Sequence, residues 1–147
     1  MASDSEEEIL RELCASINGL PISGFLRSRA FAVFCSEFGL QEIWDEAVAG
    51  EQRVSGRSGG IDSCDDHQLG TILCRFMIRV YDRRYADFTD IVSGFLKSAY
   101  THTRGRFPFT EFDPKIIERI EAPLIELGNE AAEIRERFSV FRPENTR

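Results

Sequence analysis

The side chains best suited to acid–base chemistry are few, because the chain contains only two histidines. His102 lies five residues after Lys97, and Arg104 and Arg106 lie two and four residues after His102. A cation five residues before a histidine can hold a phosphate beside a proton-transfer group, although lysine lacks the bidentate geometry of arginine. These four residues define an alternative phosphate-binding set, which is typical of a small nucleic-acid-binding or nuclease-like domain.

A second group of reactive side chains surrounds a Cys-x-x-His step. Cys64 and His67 could place two metal ligands together, with Asp62, Asp66 and Cys74 nearby in the sequence. There is no second ligand pair, and the aspartates equally serve as helix caps. The chain also lacks a P-loop motif. We therefore predict no metal, no cofactor and no catalytic residues, and an enzyme is the less favoured class.

Composition limits the remaining classes of protein. The chain has 147 residues, of which 42% are hydrophobic, which predicts a single domain over 1–147. The net charge of −7 disfavours nucleic acid and anionic membranes as partners. The acidic start MASDSEEEIL is unlike a signal peptide, and no stretch approaches the length of a membrane span. These features predict a cytoplasmic or nuclear protein with reduced cysteines. Cys14 and Cys35 lie on apolar helix faces, which predicts small core residues.

Apolar residues recur at helical spacing through most of the chain, and no region is typical of a strand. We predict an all-α single-domain bundle of about five to seven helices. A flexible surface loop is expected at 55–63 and a disordered tail at 143–147. The first predicted helix starts near Ser3 or Ser5 and is stopped by Asn18-Gly19 and Pro21. The others are 23–38, 41–53, one starting at Asp65 or Asp66, 87–101, and one starting at Asp113 and Pro114, in which Pro123 predicts a kink or a restart at Ala122.

Three arginines form a ladder on the helix that starts at residue 65 or 66. Arg75, Arg79 and Arg83 are spaced by four residues, and Arg84 follows them. Residues 107–136 hold eight acids and three bases, so one interpretation is pairing of the ladder with the acidic C-terminal helix. The other interpretation is an edge that binds an anionic partner.

A seam of apolar residues with alternating steps of three and four occupies the C-terminal third. This a/d spacing is typical of a helix that packs lengthwise on another helix. It leaves two alternatives open, packing inside the bundle and a homodimer interface. The seam comprises Ile117, Ile120, Leu124, Leu127, Ala131, Ile134, Phe138 and Phe141.

The segment FLRSRAFAVFCSEFGLQEIWDEAVAGE, residues 25–51, resembles the start of a regulator of G-protein signalling domain. Later segments with Ile72 and Phe76, and the stretch FTEFDPKIIERI, are similar to later helices of that family. The corresponding residues of the first segment are Phe31, Phe34, Cys35, Ile43 and Trp44.

This resemblance implies a helical module that binds a Gα subunit. Active members of the family steady the switch regions of Gα with asparagine side chains. This chain has no asparagine between Asn18 and Asn129, and Glu42 stands where one is expected. The resemblance therefore implies binding without strong GTPase activation. The leading hypothesis is a non-catalytic protein-interaction or regulatory module, with the partner-binding set Arg75, Arg79, Arg83, Arg84, Glu42 and Trp44.

Overall fold

The computed structural model describes residues 3–56, 64–106 and 112–141. These ranges form eight α-helices, two short 3-10 turns and no strand, which confirms the predicted all-α class. The predicted loop and tail lie outside the described residues, apart from the end of α4 and its C-cap, Gly56. The helices are α1 Asp4–Ile17, α2 Ser23–Leu26, α3 Arg29–Phe38, α4 Gln41–Ser55, α5 Asp66–Arg83, α6 Phe88–Arg106, α7 Pro114–Glu126 and α8 Ala131–Arg137.

Local capping signals account for two of the helix starts. Ser3 caps α1 by accepting a hydrogen bond from the backbone N–H of Glu6, whose carboxylate accepts one from the N–H of Ser3. Asp65 and Gln68 form the same reciprocal pair at the start of α5. Each capping box satisfies two backbone donors that the helix cannot satisfy itself.

The predicted helix over 23–38 is wrong in one respect, because the chain forms two helices there. Ser28 interrupts the run with extended backbone at ψ 163°. Its hydroxyl donates to the carbonyl oxygen of Phe25 at the end of α2 and accepts from the N–H of Phe31 in α3. One serine side chain thus joins the end of one helix to the start of the next.

The C-terminal break also differs from the prediction. The helix α7 runs through Pro123 to Glu126, so it neither ends nor restarts at Ala122. The break comes at Gly128, whose φ of 113° is in the range that favours glycine, and α8 starts at Ala131. The seam is therefore divided between two helices instead of following one.

The core is centred on the aromatic ring of Phe31, which lies at the crossing of α3, α4, α5 and α6. The Trp44 ring centroid is 4.6 Å away, and several phenylalanine rings surround the pair at 5.3–6.1 Å. Most of these contacts are edge-to-face, the geometry that aromatic quadrupoles favour. The surrounding rings belong to Phe25, Phe34, Phe76 and Phe95.

Candidate functional sites

The first candidate site is the arginine edge, where α4 and α5 pack side by side. We define it as the guanidinium groups of three α5 arginines together with the α4 residues beneath them. Its members are Arg75, Arg79, Arg83, Glu46, Gly50 and Glu51.

Ion pairs join the two helices along this edge. Arg83 donates to both carboxylate oxygens of Glu46, at 2.6 and 3.1 Å, while Arg79 Nε lies 3.8 Å from the same group. Arg75 Nε lies 3.5 Å from Glu51 Oε1. The acids belong to α4, so the predicted pairing with the acidic C-terminal helix is wrong.

Gly50 lets the guanidinium groups come together over α4. A methyl group at Gly50 would lie 3.6 Å from a terminal nitrogen of Arg75 and 3.7 Å from one of Arg79. Both arginine side chains keep about a third of their surface exposed. The two guanidinium groups therefore lie over the glycine and remain partly open to solvent.

Charge is unevenly distributed along the edge. Arg83 holds the pKa of the Glu46 carboxyl below its usual value, chiefly through their hydrogen bond. Arg75 and Arg79 have longer and less aligned ion pairs than Arg83 has. The charges of Glu42 and Asp82 also act on Arg83, whereas a third guanidinium, that of Arg53, comes within 4.0 Å of the Gly50 Cβ position. The Arg75–Arg79 end of the edge therefore keeps donors for another anion.

The other residues of the predicted partner-binding set lie in different surroundings. Arg84 donates to the carbonyl oxygen of Phe38 at 2.8 Å and pairs with Asp87, so it fastens the end of α3. Glu42 is exposed in the first turn of α4. Trp44 is only 5% exposed and belongs to the aromatic core, which removes it from any contact surface.

Lys97 and His102, from the alternative set, lie in a groove of about 440 Å³ between α3 and α6. Val33 and Glu37 line the same groove. The carboxylate of Glu37 opposes binding of a phosphate there. The side chains of Arg104 and Arg106 are outside the described part of the molecule.

The Cys-x-x-His group does not assemble into a metal site within the described residues, where no three potential ligands come together. Asp62 lies outside those residues. Cys64 is buried, and its carbonyl oxygen accepts a hydrogen bond from Arg27 at 2.8 Å. His67 and Cys74 nevertheless share a second candidate site, which the sequence did not predict.

This second site is the thiol cleft, a cavity of about 500 Å³ between α1, α2 and the first half of α5. Cys14 of α1 and Cys74 of α5 both line it. Cys14 is 1% exposed, whereas Cys74 is partly exposed. Arg11 lies at the cavity wall one turn before Cys14. The cleft also has an apolar wall, formed by Leu20, Ile22, Leu26 and Leu69.

The two thiols have different acidities because they are hydrogen-bonded to each other. The bond from Cys14 stabilises the Cys74 thiolate and lowers the pKa of Cys74 to about 7. Burial and the charge of Glu7 oppose this shift, and the positive charges of Arg11 and Arg75 favour it. The same bond, together with burial, raises the pKa of Cys14 well above its usual value. Cys74 is thus the nucleophilic member of the pair.

The sequence predicted Cys14 as a small core residue and grouped Cys74 with metal ligands. The two are sixty positions apart, so no local pattern connects them. Their encounter depends on how α1 and α5 are aligned, which only the tertiary structure reveals.

No protein-family model, no curated protein and no solved structure matches this chain. The described residues therefore define the protein as an all-α bundle that carries the arginine edge and the thiol cleft. No helix within the described ranges is both long enough and apolar enough to cross a membrane.

Proposed function

We propose that this protein is a non-catalytic interaction or regulatory module whose arginine edge binds an acidic segment of a protein partner. The observation that carries the proposal is the convergence of Arg75 and Arg79 above Gly50, at 3.6 and 3.7 Å from its Cβ position. Adjacent guanidinium groups in this arrangement are suited to carboxylates, which they bind in pairs of parallel hydrogen bonds. Four free cysteines suit a cytoplasmic setting for this role.

A short acidic segment fits the charge distribution better than a nucleic acid does. The chain as a whole carries −7, so a long polyanion is repelled outside the edge. A segment of a few residues contacts only the edge and avoids most of that repulsion, because charges farther than about 10 Å are screened at moderate salt.

An apolar side chain beside the edge supports a protein as the partner. Val54 follows Gly50 by one helical turn, on the same face of α4, and is 72% exposed. An exposed apolar residue next to a cationic group is a common arrangement in protein interfaces, where apolar contact adds to charge complementarity. We expect the partner segment to combine acidic residues with at least one aliphatic residue.

The proposal is tested with a fluorescein-labelled peptide of alternating glutamate and leucine, whose binding is followed by fluorescence anisotropy. We expect saturable binding that weakens as salt increases, and Arg79→Glu should weaken it about tenfold or more. The matched control is Arg119→Glu, which makes the same charge change at an exposed position of α7. The peptide with glutamine in place of glutamate should not bind.

Equal weakening by Arg79→Glu and Arg119→Glu would show that only net charge matters, and it would refute a defined docking edge. Binding of single-stranded RNA that depends on Lys97 and His102 would instead favour the alternative function. Both results are obtained from the same anisotropy assay.

The family resemblance implies one class of partner, a Gα subunit. In that case the protein should bind Gα and leave its rate of GTP hydrolysis nearly unchanged, because Glu42 replaces the expected asparagine. Hydrolysis of GTP by Gα, measured with and without the protein, tests this form of the proposal. Strong acceleration would contradict it.

A further inference from the structure

Cys14 and Cys74 belong to a row of contacts that fixes the alignment of α1 against α5. Asn18 donates to the carbonyl oxygen of Gly70 at 3.4 Å, and the hydroxyl of Tyr81 donates to Glu6 at 2.6 Å. Cys14 lies four residues before Asn18 in the sequence of α1, and Cys74 lies four residues after Gly70 in α5.

The two helices are therefore antiparallel neighbours, and the thiols face each other at the middle of the row. Gly70 permits the close approach, because a methyl group there would lie only 3.1 Å from the side-chain nitrogen of Asn18. Contacts on both sides of the pair thus bring the Cys14 and Cys74 side chains to the wall of the same cavity.

We infer that Cys74 and Cys14 form a hydroperoxide-reactive thiol pair, in which Cys74 is oxidised first and Cys14 then closes a disulfide between α1 and α5. The inference stands apart from the arginine edge and does not depend on it. It assigns different roles to the two cysteines because only Cys74 is partly open to solvent.

In the first step the Cys74 thiolate attacks the distal oxygen of the hydroperoxide. An S–O bond forms and the O–O bond breaks, which gives a sulfenic acid on Cys74 and an alkoxide that takes a proton from solvent. For hydrogen peroxide the product of this protonation is water.

In the second step Cys14 loses its proton and its sulfur attacks the Cys74 sulfur. The S–S bond forms, the S–O bond breaks, and the departing hydroxide takes up a proton to become water. The neutral sulfenic acid no longer repels a negative charge on Cys14, so the first step makes the deprotonation of Cys14 easier. In total, two thiols are oxidised and one hydroperoxide is reduced.

The cleft offers room and suitable surroundings for this oxidant. Its volume of about 500 Å³ exceeds what hydrogen peroxide needs, and its apolar wall suits the alkyl group of an organic hydroperoxide. Arg11 also lines the cleft, with its guanidinium paired to Glu7 at 2.9 Å, so it brings a positive charge to the wall that Glu7 partly offsets. We therefore expect a small organic hydroperoxide to react as well.

The test uses the unaltered, reduced protein with one equivalent of hydrogen peroxide or of tert-butyl hydroperoxide. Free thiols are then blocked, and the protein is digested and analysed by mass spectrometry. We expect a peptide pair joined through Cys14 and Cys74, formed more than about tenfold faster than any modification of Cys35. Cys35 is the internal control, since burial raises its pKa to about 12.

Variants separate the two steps. With Cys14→Ala, dimedone should trap a sulfenic acid on Cys74, because no second thiol is available to remove it. With Cys74→Ser, Cys14 should stay reduced. The inference is overturned if the unaltered protein gives no Cys14–Cys74 link, if Cys35 or Cys64 reacts first, or if Cys74 passes to sulfinic acid while Cys14 remains free. Comparing the two oxidants shows whether the apolar wall selects an alkyl group.

Discussion

Gly94 of α6 lies directly against the ring of Phe38 in α3: a methyl group at Gly94 would be only 2.8 Å from Phe38 Cζ. The same ring packs on Phe34, with centroids 5.0 Å apart. Because the glycine leaves no space between helix and ring, the crossing of α3 and α6 depends on its lack of a side chain.

The first prediction concerns this glycine. Gly94→Ala should lower the free energy of unfolding by up to about 2 kcal/mol, since overpacking costs about 1–3 kcal/mol and the better helix propensity of alanine offsets about 1 kcal/mol of that. Thermal denaturation followed by circular dichroism measures the change. The control is Gly24→Ala, a position with no atom within 4 Å of the added methyl group, where we expect unchanged or slightly higher stability.

The second prediction concerns the C-terminal seam. Ile117, Ile120, Leu124, Ile134, Phe138 and Phe141 are at most 3% exposed within the single chain, whereas Leu127 and Ala131 are partly exposed. We expect a monomer in light scattering. Ile134→Asp should destabilise that monomer by at least about 3 kcal/mol, because it buries a carboxylate without a partner.

Val140→Asp is the matched control for the seam, because Val140 follows closely in the chain and is 55% exposed. It should leave stability almost unchanged. A dimer that Ile134→Asp converts into a stable monomer would show that the seam is an intermolecular interface instead.

The third prediction is a pH dependence at Cys74. Alkylation by iodoacetamide should accelerate as pH rises, with a midpoint near 7. Cys14→Ala should move the midpoint to higher pH by removing the hydrogen bond to the thiolate, whereas Cys14→Ser keeps a donor and should move it less. The three rate–pH profiles provide the measurement, and identical profiles would contradict the thiol–thiol bond.

The same shift has a consequence for stability. The pKa of Cys74 is lower in the folded protein than in the unfolded chain, so the unfolded chain binds more protons between pH 7 and 9. The contribution of Cys74 to the free energy of unfolding is therefore fully present above about pH 9 and is lost as the pH falls through 7. The raised pKa of Cys14 has the opposite effect, because it lowers the free energy of unfolding as the pH rises above 9. Urea denaturation at several pH values, compared with Cys74→Ser, tests this sign.

The features that the sequence predicts correctly are those set by interactions between residues close together in the chain. The starts of α1 and α5 depend on neighbouring residues, Ser3 with Glu6 and Asp65 with Gln68, and both regions were predicted. The break at Ser28 was missed because its hydroxyl bonds two helices at once, which hydrophobic spacing does not register.

The long-range pairs could not be predicted for a different reason. The spacing of an arginine ladder shows that the cations share one helix face, but it does not show which acidic helix packs against that face. In the structure the acidic residues that pair with the ladder belong to α4. The alignment of α1 on α5, which brings Cys14 to Cys74, is set by Gly70 and Asn18 together.

Backbone amide NMR shifts recorded while the glutamate–leucine peptide is added test the proposed docking edge most directly. We expect shifts to concentrate on α4 and α5 around Gly50, Arg75 and Arg79, and to disappear in Arg79→Glu but persist in Arg119→Glu. Shifts that instead cluster at the groove of Lys97 and His102, or no localised shifts at saturating peptide, would contradict the account.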